Sequence, residues 1–270
     1  MKKIYLPIIL ILSVSNLLAQ NIDSILSKFE QANGGKQVFA SIKTLQYNSV
    51  VSVNMMGMPI DITMTNIFVM GKLYRRQTSG MMGMKASYTL VTDTAGYTST
   101  PTVPAYGEFQ GMEGGIKKMD STTLQKLQPK LKSIDEFSTL IDCKTKGNIA
   151  ELIGITQVEK KDCYKIKLTA PDKDVSTYYV DTATMLIKQV ELTGKKMASQ
   201  FGLDSGPMAD MAGNRIDKQK VMIYYNEYKD INGVKFPVKQ RIQFGAVDIN
   251  VENNDVEINE SIAAKWFRAN

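Results

Sequence analysis

The chain has 270 residues, a net charge of +6 and no histidine. The missing imidazole excludes Ser-His-Asp and Cys-His nucleophiles, histidine general bases and nearly every catalytic zinc arrangement. No paired Asp/Glu motif takes their place, so we expect a non-enzyme without catalytic residues, resident metal or cofactor. The charge is dispersed, with no basic run longer than a pair such as Lys160-Lys161; that is not a nucleic-acid footprint.

The N-terminal stretch MKKIYLPIILILSVSNLLAQ has the order of a secretory signal peptide. Two lysines precede an apolar core, small residues follow near Ala19, and the run is too short to span a bilayer. Residues 1–19 are therefore expected to be removed on export to the periplasm. The first cysteine is Cys143, so no lipid-acceptor site follows the apolar run. Residues 20–270, about 250 in number, suffice for one core and are expected to form a single soluble, monomeric domain.

In NIDSILSKFEQANGG, Ile22, Ile25, Leu26 and Phe29 recur at helical spacing, and Gly34-Gly35 can end the helix in the left-handed conformation. A short turn through Val38, Phe39 and Ile42 is expected next. From Thr44 the period becomes two. Leu45, Tyr47, Val51 and Val53 share one face of a strand over 45–53, and Ile60, Ile62, Met64, Phe68 and Met70 share one face over 59–70. Strands near 72–78 and 84–92 continue the series. Such alternation means one wet face and one buried face.

Residues 101–146 break the pattern. PTVPAYGEFQGMEGG is loop-like, while Leu124, Leu127, Leu131 and Ile134 suggest helix interrupted at Pro129, hence two short helices. Strands resume near 148–158, 163–170, 175–181 and 185–193. The Gly/Ala/Met-rich stretch 194–217 reads as a long functional loop. The last strands lie near 218–229, 234–245 and 247–258, with Asn232-Gly233 as a hairpin turn, and a short helix ends at Trp266-Phe267. About ten or eleven strands with short connections make an antiparallel sheet that must curl or be covered. The expected fold is mainly β (α+β): a curved, half-open antiparallel β-barrel with short helices as plug or lid. Its greasy concave face would be lined by Leu45, Val51, Val53, Ile60, Ile62, Met64 and Phe68.

Cys143 and Cys163 lie in what should be an oxidising compartment. If 148–158 and 163–170 form a hairpin, however, Cys163 faces a residue near 158 and Cys143 falls beyond the paired region.

The tetrapeptide MMGM occurs twice, at 55–58 and 81–84. In an up-down meander both tips sit on one edge of the sheet, about 10 Å apart. Clustered thioethers form adaptable apolar surfaces, can hold copper(I), or can be loop residues of no special role. The first reading fits a cavity rim made by Met55, Met58, Met81 and Met84.

The opening IDSILSKFEQANGGKQVFASIKTL, the centre LIDCKTKGNIAELIGITQVEKKDCYKIKLTAPDKDVSTYYVDTATMLIKQVE and the late segment YYNEYKDINGVKFPVKQRIQF resemble the LolA/LolB-like superfamily of outer-membrane lipoprotein-sorting proteins. The resemblance covers most of 22–258 in order. It implies an unclosed antiparallel barrel with a helical lid, an apolar cavity for lipoprotein or lipid acyl chains, no cofactor, and the inner- and outer-membrane sorting machinery as partners. It also implies a lid-locking arginine at Arg75 in GKLYRRQTSG, with Arg76 as the neighbouring choice, since a one-residue slip moves the charge to the opposite face.

Overall fold

The computed structural model describes residues 22–269, except 56–57, 80–85, 103–104, 106–110, 112, 133, 135, 202–218 and 246. Helix α1 covers 22–32. Gly34 and Gly35 then adopt φ of 109° and 85°, values that suit glycine. At Gly34 space is limiting as well, because a Cβ would stand 2.1 Å from the Gly233 carbonyl oxygen. The elbow after α1 therefore rests on a distant hairpin tip. The expected turn beyond it is a second helix, α2 (Gly35–Ser41).

The strands among the described residues form one 13-stranded sheet. Its first wing holds β1 (Thr44–Met55), β2 (Met58–Val69), β3 (Leu73–Thr78), β4 (Ser87–Thr92), β5 (Gly96–Thr100) and β6 (Gly115–Lys118). The second holds β7 (Ile149–Val158), β8 (Lys161–Thr169), β9 (Val175–Asp181), β10 (Ile187–Thr193), β11 (Lys220–Ile231), β12 (Val234–Phe244) and β13 (Val247–Ile258). Each wing is a meander, and the two join where β1 pairs antiparallel with β13. The other ends, β6 and β7, do not pair with each other, so the barrel stays open. Asn232 (φ 52°) and Gly233 (φ 83°) turn β11 into β12, the positive pair that a two-residue hairpin favours.

Two strands, β5 and β6, exceed the sequence expectation. TAGYTST and GGIKK lack apolar alternation, so nothing in the residues separates them from loop. Between the wings lie α3 (Ser121–Leu127), capped by the Asp120 carboxylate accepting from the Thr123 N–H, and a 3-10 turn at Gln128–Lys132 that contains Pro129. The stretch read as a loop from 194 begins with α4 (Gly194–Phe201). Among the described residues no helix is long and apolar enough to cross a membrane.

One core accounts for the curvature. Ile25, Leu26 and Phe29 of α1, together with Leu131, Phe137 and Leu140 of the middle segment, pack against inward residues of β1–β4 and β8–β13. A sheet that touches one helical plug from so many strands must wrap around it. Its centre is aromatic: Phe236 meets Tyr47 at 5.1 Å and Phe137 at 5.3 Å between centroids, both edge-on, a favoured geometry.

Candidate functional site

Cross-strand register fixes which residues share the inner face. Leu45 stands opposite Phe68, Val51 opposite Ile62 and Val53 opposite Ile60 on β1 and β2; Val251 and Ile249 continue those last two rows on β13. All seven strand residues expected to line the cavity thus lie on one face, but they do two different things. Leu45 and Phe68 are 1% exposed and sit beneath the helices. Val51 is half-buried against that core. Val53, Ile60, Ile62 and Met64 are half-buried too, and none joins the buried clusters of the described residues.

The first MMGM motif starts and ends at the far end of this strip. Met56, Met81, Met82 and Met84 lie outside the described residues; Met55 and Met58 form the last rung of the β1–β2 ladder. The strand ends that flank the second motif, Thr78 of β3 and Ser87 of β4, pair with each other, and Thr78 pairs with Met64, six residues short of Met58 along β2. Among the described residues, no group of three or more Cys, Asp or Glu side chains could hold a metal ion.

A polar relay that the alternation pattern skipped crosses the inner face between the packed and the half-buried parts. The Arg76 Nε donates to Asn66 Oδ1 at 2.7 Å, Asn66 Nδ2 to Ser49 Oγ at 3.0 Å and Ser49 Oγ to Asn253 Oδ1 at 2.8 Å. Asn253 Nδ2 then donates to the Pro237 carbonyl at 2.8 Å. Ser49, Asn66 and Asn253 are buried, so each needs the others to avoid an unsatisfied polar group. The signal was present in the sequence as Ser49 and Asn66 at inward positions of otherwise apolar alternations.

The doubled arginine resolves cleanly. Arg76 pairs with Asn66 and stands inside; Arg75 pairs with Ile67 and Leu90, so it stands on the outer face and not in the cavity where the lid expectation placed it. There Arg75 is 3% exposed and donates to the carbonyls of Trp266 (3.3 Å) and Arg268 (2.8 Å) and to Gln77 Oε1 (2.9 Å). Its guanidinium lies 4.1 Å from the Tyr88 ring centroid and 5.4 Å from that of Trp266. Among the described residues no carboxylate pairs with it, and burial lowers its pKa from the ordinary arginine value. Arg75 thus clasps a covering segment, but that segment is the C-terminal one, which seats Ile262, Trp266 and Ala269 on Ile67, Leu73, Tyr88 and Leu90.

Both cysteines are free and buried, on opposite sides of the sheet. Cys143 joins the inner core, whereas Cys163, facing Thr156, packs with Val158 and Tyr179 outside. Burial first, then the Asp181 carboxylate, pushes the Cys163 thiol up to about 11; burial also raises Cys143. Thiols so placed stay protonated and inert at neutral pH.

No protein-family model matches the chain, and no curated protein does. Solved structures do. A LolA superfamily protein from Nitrosomonas europaea superposes with a TM-score of 0.54 at 9% identity, over 89% of this chain and 96% of its own. A domain assigned as an outer membrane lipoprotein-sorting protein, from Vibrio parahaemolyticus, gives 0.53 at 10% identity, over 90% and 94%. The chain shares their fold: a single curved antiparallel sheet, not closed, around short helices.

Proposed function

We propose that the protein binds acyl chains of a lipid or lipoprotein on the inner face of the β1–β2–β13 region and carries them through the periplasm. The observation that carries this reading is the strip Val53, Ile60, Ile62 and Met64, an apolar surface that continues past the helical plug and, among the described residues, joins none of the buried clusters. A fold alone does not specify cargo; the apolar chemistry of the strip supports an acyl chain. At about 25 cal/mol per Å² of apolar area removed from water, an acyl chain covering a few hundred Å² gains several kcal/mol before ordering costs. Release follows from a better acceptor, in the sorting role from membrane machinery that loads and receives the cargo, because no nucleotide motif is available to drive it. The shared fold with a sorting-protein domain supports the same role. Residues 1–19 act as the export signal in this reading, and carriage involves no catalysis.

Native mass spectrometry of the protein purified gently from the periplasm tests this. A mass excess matching a lipid or lipidated peptide is expected. A bare mass that stays unchanged after incubation with lipid vesicles overturns the proposal.

A further inference from the structure

The two open ends of the sheet are built differently. β6 is four residues long, exposed throughout, and carries Lys117 and Lys118; short strands and lysines are how proteins blunt a sheet edge. β7 runs for ten residues, IAELIGITQV, with Glu151 as its one charge and neither lysine nor proline. Among the described residues no strand pairs with its far side. Ile149, Ile153 and Ile155 on this strand are 63%, 55% and 65% exposed, the highest values of any large apolar side chain described. Isoleucines left in water beside a row of open backbone N–H and C=O groups make a surface that another strand would cover.

Register divides that edge in two. Ile149–Leu152 pair with Thr169–Ile166, Gly154–Val158 pair with Lys165–Lys161, and the register skips Ile153. The extra residue is a bulge. Before it, Ala150 and Leu152 pack on the inner core, which leaves Ile149 and Glu151 outside. Beyond it, Ile155 stands opposite Tyr164, which packs on that same core, so Ile155 belongs to the inner side. The edge is therefore apolar on both faces.

We infer that β7 is a docking edge for a partner polypeptide, and that the docked segment is extended, apolar and acidic and adds one more strand along Gly154–Val158. Charge chooses this occupant over a second copy of the chain. Lys160 lies in the turn that follows the run, and Lys161 and Lys165 lie opposite it on β8. Among the described residues, Lys167 pairs with Glu151 at 2.8 Å, but no carboxylate pairs with Lys160, Lys161 or Lys165. Of the acidic residues at the same end, Glu159 is held by Lys188 and Arg241, and Asp162 accepts from Gln157. Two copies joined through this run would bring both sets of lysines together, whereas carboxylates on an added strand would meet them. Gly154 leaves the path open: it stands opposite Lys165, and a Cβ there would meet nothing within 4 Å. Lys165 itself lies 5.8 Å from the Tyr179 ring centroid, near the outer limit for such a contact and easily exchanged for a carboxylate. The edge is six strands from β13 in the sheet order, and its test does not depend on the acyl reading.

The probe is a fluorescein-labelled heptapeptide of alternating valine and aspartate, titrated against the full chain by fluorescence anisotropy. Saturable binding is expected, about tenfold tighter than that of the matching valine–lysine peptide and weakened by added salt. N-methylation of alternate residues of the probe should abolish it, because strand addition needs those main-chain donors. Amide hydrogen exchange should slow over 149–158 and stay unchanged over β6. Ile153→Lys with Ile155→Lys should remove binding while the unfolding curve stays that of the wild type, since both side chains are exposed already. Lys161→Glu with Lys165→Glu should transfer the preference to the valine–lysine peptide. Failure of the probe to bind, equal binding of its N-methylated form, or exchange protection away from β7 overturns the docking edge. Equal binding of the aspartate and lysine peptides overturns the acidic character of the partner. A dimer in sedimentation that the Ile153→Lys, Ile155→Lys variant dissolves puts a second copy on the edge and overturns the assigned occupant.

Discussion

The two ends of the β1–β2 hairpin carry the same alternation but meet different fates. Toward the start of β1, Leu45 and Phe68 are sealed under α1 and the middle segment; toward its far end Val53, Ile60 and Ile62 are only half covered. Identical local chemistry thus serves packing at one end and stays half exposed at the other. The difference lies not in the strands but in how far the plug reaches, and the relay from Arg76 to Asn253 marks the border.

Substitutions at either end should separate the two roles. Phe68→Ala, in the sealed part, should cost about 3–5 kcal/mol of unfolding free energy, as large-to-small changes in a dense core do, measured by urea titration; a loss below 1 kcal/mol would mean that the sealed end is not close-packed. Arg75→Ala tests the second border, on the outer face. Losing hydrogen bonds from a charged group should cost about 1.5–3 kcal/mol, shift the emission of Trp266, the chain's single tryptophan, to longer wavelength, and open Lys265 and Arg268 to trypsin. Unchanged emission would show that the terminal segment holds without the clasp. Ile62→Ser should change stability least, by about 1 kcal/mol, since the side chain is already half exposed, yet it should weaken acyl binding measured by titration with a fluorescent fatty acid. Wild-type affinity in that variant would remove the strip from the ligand path.

Much of the architecture was readable from residues. Period-two runs located eleven of the strands, Asn232-Gly233 located a hairpin, and Pro129 broke the middle helix, because each of these signals is local. The short strands β5 and β6 were not readable, since they are held by pairing with neighbours and not by an apolar face of their own. Nor was α2, whose seven residues depend on the elbow at Gly34. At the site, alternation identified the inner face, but whether a given apolar residue is sealed or half open depends on residues more than sixty positions away, as with Phe68, whose core also contains Leu131 and Phe137. The RR pair shows the limit most plainly: a shift of one residue exchanges an inward-facing cation for an outer clasp, and only the register with β2 and β4 decides it.

The seam between β1 and β13 bears on how the chain must fold. Ser49 and Asn253, which meet across that seam, are 204 residues apart in sequence. Each wing can assemble as a run of local hairpins, but the ladder that unites them waits for the last strand, a non-local closure of the kind that slows folding. During synthesis the apolar side of β1 is therefore complete long before its neighbour arrives. Until then the nascent chain displays an unpaired edge and an uncovered greasy face, and it is itself a client for whatever protects unfolded proteins in its compartment.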